Sequence, residues 1–154
     1  MKRKKPKLGD VLEIPTPRGF AYFQYVNRDP LYGALIRVLP GCFVKRPQPV
    51  SDFVLKPETF FTFFPVSAAV NQGIVAIVAN EPIPEAARKM PVMRAAGGID
   101  KGGKVLNWWI LEDERKSMTS DLSEEQKHLS IAEIVNDTLL VQRIVEGWSP
   151  SNRI

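Results

Sequence analysis

The sequence predicts a mainly β domain of the α+β class, and two observations carry this prediction. Short runs rich in aromatic and β-branched residues alternate with proline and glycine turns over roughly the first two thirds of the chain. After Leu122 the pattern changes to helical spacing with capping signals. We therefore expect a curled antiparallel sheet or a small barrel with C-terminal helices packed on it.

The first three strands are predicted to form a meander. Residues 10–14 alternate between Leu12 and Ile14 on one face and Glu13 on the other, which is typical of a half-buried strand. Residues 15–19, Pro-Thr-Pro-Arg-Gly, favour a turn because proline fixes φ and glycine permits positive φ. The aromatic-rich segment 20–26 is predicted to return beside the first strand, and the segment 33–39 to follow it.

The middle of the chain contains further strand patterns. Residues 59–64 include four phenylalanines and predict a strand buried on both faces, and residues 74–79 predict an interior strand. Residues 93–96 and 105–111 flank two glycine pairs and predict a hairpin. The proline-containing segment 45–49 is predicted to be a loop.

Helices are predicted near the C-terminal end from two capping-box patterns. Residues 123–126 match S-x-x-Q and residues 130–133 match S-x-x-E, so each predicts a helix start. Apolar residues from 131 to 145 fall near helical spacing, and Gly147 is placed to end the helix. The pair Asn136-Asp137 either divides this helix in two or lies within one helix, and the sequence leaves both readings open.

Composition and charge indicate one folded domain, residues 8–154, after a flexible basic tail, residues 1–7. The chain has 154 residues, of which 44% are hydrophobic and 25% charged. Its net charge is +4, but five basic residues lie in the tail, so the remainder carries a net charge of −1. Nine acidic residues stand against five basic ones from position 112 onward. Contact with nucleic acid, if any, is therefore expected at the tail.

Several classes of protein are not expected. No apolar run approaches the roughly 20 residues of a membrane helix, and no secretory signal is recognised. The single cysteine, Cys42, cannot form an internal disulfide, which favours the cytoplasm. Nothing in the sequence places Cys42 beside the single histidine, His128, as thiol catalysis requires. We therefore expect no enzyme, no metal site and no cofactor.

The strongest candidate for a binding surface is the segment around the adjacent tryptophans. Adjacent strand residues point to opposite faces, so one tryptophan should be buried and the other should face outward or into a groove, unless a helix covers both. An exposed tryptophan beside charges is typical of a binding hot spot, whereas the acidic residues alone are more typical of a solvated loop. The candidate residues are Trp108, Trp109, Glu112, Asp113 and Glu114, extended by Glu124 and Glu125.

An ordered series of weak motifs resembles the immunity protein 26 family of bacterial polymorphic toxin systems. The series comprises Gly-Asp-Val-Leu-Glu-Ile-Pro at 9–15 with its aromatic return strand, Phe-Phe-Pro-Val at 63–66, Pro-Ile-Pro at 82–84, Trp-Trp-Ile at 108–110, and Leu-Leu-Val-Gln-Arg-Ile at 139–144 before Gly147-Trp148. The resemblance covers roughly residues 8–150. It implies a non-catalytic protein that binds and neutralises a cognate toxin. Immunity proteins often present acidic faces to basic toxins, because complementary charge speeds association.

The alternative hypothesis is a nucleic-acid-binding small β-barrel module. Such a module needs basic and aromatic residues mixed on one face. The candidates for that face are Tyr22, Tyr25, Arg28, Tyr32 and Arg37. The near-neutral charge of the chain after the tail argues against this alternative.

Overall fold

Nine β-strands and three α-helices form the described part of the computed structural model, residues 4–153. The strands are β1 (Asp10–Thr16), β2 (Gly19–Asp29), β3 (Gly33–Val38), β4 (Phe60–Phe63), β5 (Ala76–Asn80), β6 (Met93–Ala96), β7 (Trp108–Glu112), β8 (Arg115–Thr119) and β9 (Ser130–Ile131). The helices are α1 (Val50–Phe53), α2 (Val66–Asn71) and α3 (Asp137–Glu146), with short 3₁₀ helices at Glu85–Ala87, Gln126–His128 and Pro150–Asn152. The predicted mainly β fold with a C-terminal helix is confirmed. None of the helices in residues 4–153 is long and apolar enough to cross a membrane.

The first sheet has the strand order β4-β3-β2-β1-β5, and every neighbouring pair is antiparallel. Its centre is the predicted meander of β1, β2 and β3. The first turn depends on Gly19, whose φ is 111° and where an added Cβ would lie 2.6 Å from the carbonyl oxygen of Phe43. This close approach lets Phe20 and Phe43 exchange backbone hydrogen bonds of 2.7 and 2.8 Å.

The second sheet has the order β8-β7-β6-β9 and contains the predicted hairpin as β6 and β7. Strand β9 runs parallel to β6, and the residues that follow it pair with β4 of the first sheet. There the N–H of Phe63 donates to the carbonyl of Glu133, and the N–H of Val135 donates to the carbonyl of Phe63. The segment 130–135 therefore joins the two sheets side by side. They do not close into a barrel over residues 4–153.

The main hydrophobic core lies between one face of the first sheet and the helices α2 and α3. Leu140 of α3 is fully buried in this core. The helix is capped at its N-terminus by Asn136, whose Oδ1 accepts a hydrogen bond of 2.8 Å from the N–H of Leu139. It ends at Gly147, which has a φ of 64° and is the predicted stop. The core residues include Leu12, Ile14, Phe23, Ile36, Phe64, Val66, Val70 and Val135.

The second predicted helix start is wrong, and the first gives only one turn. Ser130 begins the strand β9. Its hydroxyl oxygen accepts a hydrogen bond from the N–H of Phe61 in β4 and does not cap a helix. Ser123 and Gln126 do exchange the two hydrogen bonds of a capping box, at 2.9 and 3.2 Å, but only the 3₁₀ helix Gln126–His128 follows. Two short helices that the sequence analysis did not predict, α1 and α2, precede Leu122.

Two strand predictions also need correction. Strand β5 was predicted to be interior, but it is the edge strand next to β1. Its apolar character arises because both of its faces are partly covered: Ile77 packs against the main core, while Val78 packs on the opposite side with Phe53. Strand β8 was not predicted at all, since most of its residues are exposed and polar and it carries no alternating pattern.

The predicted basic tail, residues 1–7, lies partly outside the described residues. Within the described part, Lys4, Lys5 and Lys7 are exposed. The side-chain amide of Asn71 donates to the carbonyl of Lys4 at 3.1 Å, and the N–H of Lys7 donates to the carboxylate of Asp10 at 2.9 Å.

Candidate functional site

The two adjacent tryptophans of β7 lie on opposite faces of the second sheet. Trp108 is 2% exposed and packs against Val105 and Ile131, with the guanidinium of Arg94 4.2 Å from its ring centroid. Trp109 is 38% exposed. Alternation along the strand therefore places one tryptophan in a core and the other at the surface.

Trp109 lines a groove of about 620 Å³ where the two sheets meet. Strand register places its neighbours on the same face, since Ala95 pairs with Trp109 and Met93 pairs with Leu111. The first sheet contributes Phe63, whose ring stacks on that of Tyr32 at a centroid distance of 4.7 Å. The floor of the groove is thus apolar and comes from both sheets. Its apolar lining residues are Pro30, Leu31, Tyr32, Phe63, Met90, Pro91, Met93, Ala95, Trp109, Leu111 and Ala132.

Charged residues form the rim of this groove. Three acidic and two basic side chains line it, a net charge of −1 before the neighbouring Lys89 is counted: Asp29, Asp113, Glu114, Arg115 and Lys116. All of them except Asp29 come from the turn between β7 and β8 and from the start of β8. Asp113 also pairs with Lys89 at 3.3 Å, an exposed ion pair of the kind that contributes little to stability.

The rim is shaped by two turns. Asp113 has a φ of 54° in the two-residue turn of the β7–β8 hairpin. On the opposite rim, one carboxylate oxygen of Asp29 accepts the backbone N–H groups of Leu31 and Tyr32, at 2.8 and 2.9 Å. These bonds order the turn after β2 and so place Tyr32 beside Phe63.

Three residues of the predicted binding surface line the groove, and four do not. Trp109, Asp113 and Glu114 lie together there. The other four are Trp108, which is buried, and Glu112, Glu124 and Glu125, which are exposed but do not line the groove. The side chain of Glu124 instead accepts a hydrogen bond from Lys127 at 2.9 Å, and this contact lowers the pKa of Glu124.

The residues predicted for a nucleic-acid surface do not share a face. Tyr22, Tyr25 and Arg37 are buried, Arg28 is exposed and Tyr32 lines the groove. The hydroxyl of Tyr22 donates to Glu13 at 2.7 Å, and burial together with this hydrogen bond raises the pKa of Tyr22 to about 12. Arg37 pairs with Glu58 at 3.0 Å and donates to buried carbonyl groups, so it is part of the interior.

Sequence reasoning missed the floor of the groove. Phe63 was assigned only to a buried strand, and Met93 only to a hairpin. The alternation in β6 and β7 indicates which residues of that hairpin share a face. No local pattern indicates that Phe63 of the other sheet lies beside them, because the contact depends on the pairing of β4 with residues 133–135.

Cys42 and His128 are not joined by any hydrogen bond within residues 4–153. Cys42 is half-buried after β3, where its Sγ accepts a hydrogen bond of 3.7 Å from the hydroxyl of Thr16. His128 is exposed in a 3₁₀ helix. In the same described part of the chain, no group of three or more His, Cys, Asp or Glu residues is arranged to hold a metal ion.

A scan against protein-family models finds no family that matches the chain, and searches of curated proteins and of solved structures find no match. Within residues 4–153, the groove combines an apolar floor, a partly exposed tryptophan and a charged rim.

Proposed function

We propose that this protein is a non-catalytic immunity protein that acts in the cytoplasm by binding and neutralising a cognate bacterial toxin. The observation that carries the proposal is the groove in which the exposed ring of Trp109 lies over an apolar floor. An apolar centre surrounded by a charged rim is the usual arrangement of a protein-binding hot spot. The resemblance to the immunity protein 26 family supplies the class of partner.

The charges of the rim favour a basic segment of the partner. Asp113, Glu114 and Asp29 outnumber the two bases of the groove, and exposed carboxylates speed the approach of a basic surface. Docking would then bury the remaining exposed surface of Trp109. Truncating a hot-spot tryptophan typically costs about 2 kcal/mol or more of binding free energy.

One observation favours the alternative of nucleic-acid binding. Trp109 and Tyr32 lie in the same groove as Arg115 and Lys116, which mixes aromatic and basic residues on one face. The three acidic residues of the same groove oppose a polyanion, however, and a nucleic-acid groove should carry a positive charge. A protein partner is therefore the better proposal.

The proposal is tested with the product of a toxin gene that flanks this gene. Binding of the purified toxin should be measured with the wild-type protein and with Trp109→Ala. The matched control is Phe20→Ala, because Phe20 is 37% exposed, nearly the same fraction as Trp109, but does not line the groove. We expect Trp109→Ala to weaken binding at least about thirtyfold and Phe20→Ala to leave it nearly unchanged.

Two other results would contradict parts of the proposal. Equal affinity in the wild type and Trp109→Ala would place the interface elsewhere. Binding of single-stranded nucleic acid by the wild type, lost in Trp109→Ala, would support the alternative function instead.

The non-catalytic part of the proposal is tested in cells that produce the toxin. Cys42→Ala and His128→Ala should each protect these cells as well as the wild type does, because neither side chain is assigned a chemical role. Loss of protection in a variant that still folds would indicate an enzymatic mechanism.

A further inference from the structure

A second concave site lies on another part of the surface and shares no lining residue with the groove. This cavity has a volume of about 730 Å³. It lies between the β1–β2 turn, the loop after β3, the start of β4 and the C-terminal end of α3. Its lining includes Arg18, Cys42, Phe60, Arg143 and Trp148.

Two arginines line the cavity, and no Asp or Glu does. Arg18 is exposed and forms no ion pair within residues 4–153. Arg143 is only 7% exposed, and its Nη1 donates to Glu133. Its Nε and Nη2 make no hydrogen bond in the described part of the chain. A largely buried guanidinium therefore keeps donors free at the wall of an open cavity.

Most of the remaining wall is apolar, apart from Thr59 and Ser149, and it includes an aromatic cluster. The guanidinium of Arg143 lies 4.0 Å from the ring centroid of Trp148, and the ring of Phe60 packs edge-on against Trp148 at 5.1 Å. Stacking of this kind fixes the position of a guanidinium and leaves its hydrogen-bond donors in plane. The cavity thus combines fixed cationic donors with an apolar surface, as small-molecule sites commonly do.

We propose that this cavity binds a small organic anion. Its carboxylate or phosphate group pairs with Arg143 and Arg18, and its apolar body packs against Trp148 and Phe60. A planar guanidinium matches both anionic groups through charge-assisted hydrogen bonds. Glu133 offsets part of the charge of Arg143, but Arg18 has no such partner, so the site remains net positive. This activity is separate from the toxin binding proposed for the groove.

Cys42 provides a direct measurement, because it is the only cysteine of the chain and lines the cavity. The rate of its alkylation by iodoacetamide, a neutral reagent, should be measured with increasing concentrations of three probes. These are 1-naphthoate, 1-naphthyl phosphate and the uncharged 1-naphthalenemethanol. We expect at least one anion to slow alkylation in a saturable manner. The alcohol should need about a tenfold higher concentration to slow alkylation to the same extent. The stronger anion identifies the preferred group, carboxylate or phosphate.

The role of the arginines is tested with Arg18→Gln. Since Arg18 is exposed, this variant should fold normally, and we expect the half-protecting concentration of the anion to rise about tenfold. The matched control, Arg28→Gln, replaces an exposed arginine outside the cavity and should behave as the wild type does. Lack of saturable protection, equal protection by the alcohol, or an unchanged half-protecting concentration in Arg18→Gln would each overturn the proposal.

Discussion

The hydroxyl oxygen of Ser130 accepts a hydrogen bond of 2.9 Å from the backbone N–H of Phe61. Ser130 lies in β9 of the second sheet, and Phe61 lies in β4 of the first. The same short stretch of chain continues into the backbone pairing of Phe63 with residues 133 and 135. The two sheets are thus joined by one side-chain hydrogen bond at Ser130 and by the backbone hydrogen bonds of Phe63 with residues 133 and 135.

Ser130→Ala should lower the free energy of unfolding by about 1–3 kcal/mol, because it leaves the N–H of Phe61 without an acceptor in a partly buried place. Urea denaturation measures this change. The control is Ser117→Ala in β8, whose side chain is exposed and which should change stability by less than about 0.5 kcal/mol. Equal effects of the two substitutions would show that the junction does not depend on the hydroxyl.

The two tryptophans should contribute unequally to the free energy of unfolding. Trp108→Ala removes a buried ring together with its stacking on Arg94, so it should lower the free energy of unfolding by about 3–5 kcal/mol. Trp109→Ala should cost less than about 1.5 kcal/mol, because its ring is partly in water. Thermal and urea denaturation of both variants measure the difference. A larger loss of stability in Trp109→Ala would contradict the assignment of faces.

Charge reversal at the rim should mainly change the rate of association with the proposed toxin partner. Glu114 lines the groove, whereas Glu112, two residues earlier, does not, so Glu112→Lys is a matched control for Glu114→Lys. We expect Glu114→Lys to slow association about three- to tenfold at low salt and to weaken its salt dependence. Stopped-flow or surface-based kinetics at several salt concentrations measure the association rates of both variants. The same slowing in Glu112→Lys would indicate steering by overall charge instead of by the groove.

The free energy of unfolding should fall at alkaline pH because the Tyr22 hydroxyl loses its proton. Burial, and next the hydrogen bond to Glu13, raise the pKa of Tyr22 to about 12, while a tyrosine in the unfolded chain has a pKa of about 10. The native state therefore holds the proton more tightly. This stabilisation is fully present below pH 10 and is lost as pH rises from about 10 to about 12.

Tyr22→Phe tests this expectation. Between pH 9 and pH 11.5 the free energy of unfolding of the wild type should fall by up to about 2 kcal/mol more than that of Tyr22→Phe. The difference between the two curves isolates Tyr22, because the other titrating groups are common to both proteins. Parallel curves would mean that the phenol does not stay protonated in the folded protein.

Local signals account for the parts of the fold that were predicted from the sequence. The meander follows from alternation in β1 and from the turn at Gly19, and the end of α3 follows from Gly147. Alternation also predicted that Trp108 and Trp109 face opposite sides. Each of these features depends on residues that are close in the chain.

The features that were not predicted depend on distant partners. Ser130 carries a helix-capping pattern, but Phe61 of another sheet provides the donor that its hydroxyl accepts. Alternation along β7 places Glu112 on the face of Trp108, whereas Glu114 lies in the turn at the edge of the groove. That the face of Trp109 forms a groove at all depends on Phe63 of the other sheet lying beside it. A single sequence does not reveal such pairings.

The junction at residues 130–135 has a consequence for synthesis of the protein. A chain emerging from the ribosome can pair β1 with β2 and β3 early, because these contacts are local. The outer edge of β4 stays open until residues 133–135 are made, and open edges promote aggregation of incomplete chains. Phe63, Trp109 and Ala132 can form one groove only after that step. A nascent or truncated chain that stops before residue 130 should therefore lack the complete groove, even where its first sheet has already formed.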